Sequence, residues 1–129
     1  KVFVTTELGG AGTATARSVD IARKGIRNLL MYAGILAGTP EVAPSMQLDM
    51  PDADCFIFAE HAGLVEYQVD LGDAVQAGDV IARIWPSDRT GVLPIECRAK
   101  IDGILTARHV PGLIKVGDFA GLVAVPISH

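Results

Sequence analysis

Residues 63–84 read GLVEYQVDLGDAVQAGDVIARI, and residues 103–124 read GILTARHVPGLIKVGDFAGLVA. Each stretch opens on a glycine, carries a second glycine nine positions later (Gly72, Gly112) and then reaches a Gly-Asp pair (Gly78-Asp79, Gly117-Asp118). Between these glycines the side chains alternate in the two-residue period of half-buried strands. A unit of about forty residues that occurs twice specifies a β structure with internal pseudo-twofold symmetry. Two copies are too few for a solenoid, which needs roughly three or more stacked units, so the halves must close on each other as a small barrel. Strands are expected over residues 46–50, 55–59, 63–69, 80–84, 92–99, 103–108 and 121–125, with a turn at Pro51-Asp52-Ala53-Asp54 and Gly-Asp turns between several of them.

Composition narrows the function classes. Half of the 129 residues are hydrophobic and a fifth are charged, enough apolar material for a core and too much for disorder. The formal charge is −4 and the eleven basic residues are scattered, which argues against a phosphate-backbone partner and hence against nucleic acid. The longest apolar run, LLMYAGILAG at residues 29–38, is far short of the roughly 20 residues of a membrane span. Cys55 and Cys97 sit in apolar, strand-like segments without metal-type spacing and are expected to be free buried thiols. The chain begins Lys1-Val2-Phe3-Val4-Thr5, an extended β-branched run without an initiator Met, which suggests a start in mid-fold.

The first third reads differently from the rest. Residues 2–6 are expected to form a buried strand that runs into Glu7-Leu8-Gly9-Gly10-Ala11-Gly12, and strand ends followed by glycine loops are where α/β proteins place reactive groups. Ser18 is the expected N-cap of a helix with Asp20 in its first turn. Val19, Ala22, Ile26, Leu29, Leu30 and Ala33 recur at three- and four-residue spacing as one apolar face, and Gly34 or Gly38 would end the helix. Pro40 and Pro44 bracket Glu41 in a connector, so the expected domains are residues 1–38, a linker at 39–45, and a β domain at 46–127. The Gly-Gly-Ala-Gly loop lacks the dinucleotide fingerprint and any following Gly-Lys-Ser/Thr, which argues against nucleotide binding.

The second half resembles the biotinyl/lipoyl-like barrel, or half-barrel sandwich, over about seventy residues. In carrier members of that superfamily a lysine stands at the tip of the hairpin that joins the two repeats; here the tip is Pro86-Ser87-Asp88-Arg89-Thr90-Gly91, with Lys100 and Lys115 elsewhere. A barrel kept for shape, packing or assembly is therefore expected rather than a carrier module. The first part, VTTELGGAGTATARSVDIARKGIRNLLMYAGIL at residues 4–36, resembles the stretch around the catalytic glutamate of the succinylglutamate desuccinylase/aspartoacylase family of zinc-dependent deacylases, closest to the bacterial branch that includes the deacetylase of N-acetyl-diaminobutyrate. Those enzymes join a zinc-carboxypeptidase-like α/β domain to a β-rich C-terminal domain, and the order of elements matches here.

The resemblance implies a mainly β chain preceded by a strand-loop-helix remnant of the catalytic α/β domain: the C-terminal portion of a cytoplasmic enzyme that removes an acyl group from a small N-acylated amino acid. Glu7 matches the family's general base, which takes a proton from zinc-bound water and returns it to the leaving amine. The alternative from the residues alone is a glutamate that satisfies N–H groups of the glycine loop. Arg17 is a candidate for holding a substrate carboxylate, against the plainer reading of a solvated helix-start arginine. The resemblance places the zinc ligands upstream of this chain, with no metal ligand within it: His61, His109 and His129 have no partners at ligand spacing. The fragment by itself is expected to hold no cofactor and to be inactive, with a homo-oligomer as the expected state and neither membrane nor nucleic acid as a partner. A non-catalytic binding or assembly module built on the barrel is the alternative from another class.

Overall fold

The computed structural model of the chain describes residues 3–10 and 13–127, which divide into two compact units, Lys1–Ser45 and Met46–His129. The first unit is built on helix α1, Ala16–Tyr32. Its N-cap is Thr15, not Ser18: the Ser18 N–H donates to Thr15 Oγ1 (3.1 Å) and the Thr15 N–H to Ser18 Oγ (2.9 Å), a reciprocal capping box with serine in the place usually held by glutamate. Three residues of helix were missed because Ser18 is itself a good cap and masks the threonine ahead of it. At the other end Gly34 takes φ +72°, its N–H donates to the Met31 carbonyl (3.0 Å), and the Ile35 N–H donates to Leu30 (2.9 Å). This pair of bonds is the Schellman arrangement, and glycine satisfies its left-handed residue without a Cβ clash.

The strand expected at residues 2–6 is not formed. Val2 lies outside the described residues, and residues 3–6 carry no ladder, with Phe3 89% and Val4 65% exposed. β-branched composition alone does not make a strand; a ladder needs a partner edge, and no described residue of this unit supplies one.

The described residues of the second unit form nine strands: β1 Leu48–Asp49, β2 Phe56–Phe58, β3 Gly63–Tyr67, β4 Ala74–Val75, β5 Val80–Trp85, β6 Ile95–Arg98, β7 Gly103–Arg108, β8 Leu113–Ile114 and β9 Phe119–Pro126. A 3-10 turn, Ala53–Cys55, leads into β2. Every ladder is antiparallel. One sheet runs β6-β5-β3-β8; the other runs β9-β7-β4, with β1 and β2 both on β9. Each sheet thus has a central hairpin from one half of the repeat, β3-β5 or β7-β9, flanked by strands of the other half. The short strands β4 and β8, not anticipated from the sequence, carry this exchange: Gly63 pairs with Ile114, and Gly103 pairs with Val75.

The repeat's glycines now have physical causes. A Cβ on Gly63 would lie 2.1 Å from the Trp85 carbonyl oxygen, and one on Gly103 would lie 2.4 Å from that of Ala124, so the glycine that opens each half is required by close approach of the hairpin partner. In the Gly-Asp turns Asp79 Oδ2 accepts from the Gln76 N–H (2.8 Å) and Asp118 Oδ2 from the Lys115 N–H (2.9 Å). Each turn is tied to the other half: the Gly78 N–H donates to Ala99 (2.8 Å) and the Gly117 N–H to Ala59 (2.8 Å).

The two sheets share one core, in which Ile81, Ile84, Leu105, Ile114 and Val123 are essentially inaccessible. Cys55 and Cys97 are buried and unpaired, as expected, and burial pushes the Cys97 thiol above its usual value. One polar clamp joins the sheets: Tyr67 on β3 donates its hydroxyl to the Ala120 carbonyl on β9 (2.7 Å) and accepts from the His109 N–H (2.7 Å). The expectation of a closed barrel needs correction. Among the described residues the ladders end at β6 and β8 in one sheet and at β4 and the β1/β2 line in the other, where the edge strands are only two to four residues long and carry little pairing further. The architecture is two antiparallel sheets over a common core.

Candidate functional site

Glu7 follows the extended residues 3–6 and opens the turn that feeds α1. Gly9 takes φ +86° with its Cβ direction 3.1 Å from the Thr13 carbonyl oxygen, and Thr13 donates to the Gly10 carbonyl through both its N–H (3.0 Å) and its hydroxyl (2.7 Å). Two residues further on, Thr15 caps the helix. The Glu7 side chain is exposed, and among the described residues no N–H donates to it. Arg17 lies in the first turn of α1 and is also exposed; no contact joins it to Glu7 among the described residues.

Sequence reading missed a latch on the far side of the helix. Lys24 and Asn28, four residues apart and hence on one face, both hold Glu41 of the connector. Asn28 Nδ2 donates to the Glu41 carbonyl (2.8 Å), the Glu41 N–H donates to Asn28 Oδ1 (3.0 Å), and Lys24 Nζ lies 2.9 Å from Glu41 Oε2. The hydrogen bond and charge of Lys24, with a further contribution from Arg27, hold the Glu41 carboxyl below the usual carboxylate range. Beside this latch is an open, largely apolar surface depression of about 400 Å³ lined by Val4, Leu29, Tyr32, Pro40, Val42 and Ala43 among others. The signal was present in the sequence as a glutamate bracketed by prolines, but its partners are set by the fold.

No group of three or more His, Cys, Asp or Glu able to hold a metal occurs among the described residues. His61 is exposed, His109 is half-buried with Nε2 3.0 Å from the Leu113 carbonyl, and His129 lies outside the described residues. In the second unit, a cavity of about 350 Å³ opens between β2 and β6; on its rim Glu96 pairs with Arg98 and Arg83 and Lys100 lies 3.6 Å from Asp54, with Glu60 also lining it. The hairpin tip between β5 and β6 carries a smaller cleft of about 310 Å³ lined by His61, Ser87, Asp88 and Arg89, without a lysine. No helix of the described residues is long and apolar enough to cross a membrane.

No family model matches the chain. It is 47% identical over 126 residues to the N-alpha-acetyl-L-2,4-diaminobutyric acid deacetylase of Halomonas elongata, covering 96% of this chain and 37% of that protein. Among solved structures, the product-bound ectoine utilization protein EutE (DoeB) of Ruegeria pomeroyi matches with a TM-score of 0.90 and 54% identity, covering 97% of this chain and 38% of that one. A succinylglutamate desuccinylase from a Silicibacter strain matches with a TM-score of 0.88 and 55% identity, covering 98% of this chain and 39% of that one. The chain therefore spans less than two fifths of the length of these proteins. Its relatives and structural neighbours are members of the succinylglutamate desuccinylase/aspartoacylase family, and it is homologous to that part of them.

Proposed function

We propose that this chain is the C-terminal portion of a cytoplasmic deacylase that removes the acyl group from a small N-acylated amino acid, with N-acetyl-diaminobutyrate as the substrate to test first. The observation that carries this reading is the 47% identity, along 96% of the chain, to a deacetylase of that compound. Both units fall within that match.

In this reading Glu7 moves one proton. As a water oxygen attacks the amide carbonyl carbon, one of its protons passes to the Glu7 carboxylate; when the C–N bond breaks, the same proton goes to the departing nitrogen, releasing the carboxylic acid and the amine and returning Glu7 to its carboxylate form. An exposed carboxylate at the start of a glycine turn is suited to that traffic. Zinc, which the family resemblance implies, finds no ligand set among the described residues, so any metal would be held by other parts of a longer protein. By itself the chain would then hold the base without the rest of the site and be inactive. The sandwich would serve to shape or cover the pocket or to join subunits in a homo-oligomer, since its hairpin tip has no lysine to carry a cofactor.

The test is hydrolysis of N-acetyl-diaminobutyrate, followed by acetate release, for the full-length gene product and for residues 1–129 alone. Turnover by the first and none by the second supports the assignment; turnover by residues 1–129 alone would contradict it.

A further inference from the structure

We propose that the outer face of the β6-β5-β3-β8 sheet is the surface through which two copies of this protein pair, with the two-fold axis running along the strands between β3 and β5. This narrows the roles given above to the sandwich, and it depends on neither Glu7 nor the substrate. The side chains that point away from the core lie in two rows across that sheet. One row is apolar: Leu113 on β8, Leu64 on β3 and Trp85 on β5 are cross-strand neighbours, and they are 64%, 51% and 40% exposed. The next row is charged with alternating sign: Glu66 on β3 stands beside Arg83 on β5, which stands beside Glu96 on β6.

Single exposed apolar side chains are ordinary on a protein surface, whereas neighbours in register across three strands make a continuous patch. The largest member of this patch is held in place. Trp85 donates its indole N–H to Glu66 Oε2 (2.5 Å), and Gln68 Nε2 donates to the other oxygen of the same carboxylate (3.0 Å). The indole thus has its one polar group satisfied and little freedom left to lose on docking, which suits it to anchor an interface.

The order of the charges selects the occupant. A half-turn about a line between β3 and β5, parallel to the strands, lays β3 of one copy over β5 of the other. Leu64 then packs on Trp85 of the second copy, and Glu66 stands over its Arg83; each contact occurs twice, as an isologous interface requires. Sheet faces packed about 10 Å apart with strands nearly aligned are a common arrangement. The face is therefore complementary to itself in both rows, so a second copy fits it without any change of sequence.

The measurement is sedimentation equilibrium of the full-length gene product across the micromolar range, for the parent protein, Glu66→Arg, Arg83→Glu and an equal mixture of these two variants. Each variant alone sets like charges against each other at both copies of the contact and is expected to raise the dimer dissociation constant about tenfold or more. In the mixture every such contact again joins opposite charges, so a mixed dimer is expected to form with close to the parent's affinity, a recovery that misfolded variants could not give. Trp85→Ala leaves the charged row in place and is expected to weaken the dimer about tenfold or more by removing the anchor. A parent protein that stays monomeric, with another part of the longer chain on this face or with none, overturns the proposal. So does a dimer that none of these changes weakens, and weakening without recovery in the mixture overturns the register. Deacetylation assayed on the same samples tests the function reading separately.

Discussion

The two units use the same kind of apolar residue to opposite ends. In Met46–His129, Ile84, Leu105 and Val123 are completely enclosed between two sheets, and the repeat that builds those sheets is closed by bonds from each half to the other. In Lys1–Ser45 none of the described residues is buried: Ile26 is 60% exposed, Ile35 75% and Phe3 89%, although the helix has well-formed caps at both ends. Local signals suffice to make a helix, but only tertiary packing gives it most of its stability. The first unit is thus a correctly folded piece with an uncovered apolar face, while the second is a domain with its own core.

The sharpest way to break this contrast is to truncate one apolar side chain in each unit. Leu105→Ala is expected to lower the stability of the sandwich by about 2–5 kcal/mol, as for fully buried leucines, whereas Ile26→Ala should move the same unfolding transition by less than about 0.5 kcal/mol. Chemical denaturation followed by Trp85 fluorescence reads both. Equal effects would mean that the helix belongs to the sandwich's cooperative unit.

A smaller contrast lies in the glycines. Gly63→Ala drives a methyl group into the Trp85 carbonyl and is expected to cost about 1–3 kcal/mol by overpacking, with strands β3 and β5 forced apart. Gly25 sits within α1 with nothing within 4 Å of its Cβ direction, so Gly25→Ala should strengthen the helix by up to about 1 kcal/mol, visible as a gain in far-ultraviolet helical signal. A destabilising Gly25→Ala would show that some surface packs against that side of α1.

The same difference explains what was legible in the sequence. The repeat at residues 63–84 and 103–124 announces the sandwich because its glycines answer to backbone geometry within the unit, and every long strand it implies is present. The two-residue strands β4 and β8 were missed because alternation needs more than two residues to register. Closure into a barrel was inferred from the repeat and does not follow from it, since pairing across the gap depends on strand length. In the first unit the helix was legible from its period, while the strand at residues 2–6 was not a property of those residues alone but of a partner edge. Glu7 is a candidate only through its family motif, whereas the Asn28–Glu41 latch has no local signature, since its partners are thirteen residues apart.

The most direct test of the account is Glu7→Gln in the full-length gene product, assayed on N-acetyl-diaminobutyrate with metal content and melting temperature measured alongside. The account expects turnover to fall about a hundredfold or more, with metal content and melting temperature unchanged. Near-normal turnover in the variant would contradict it, and the general base would have to be sought elsewhere.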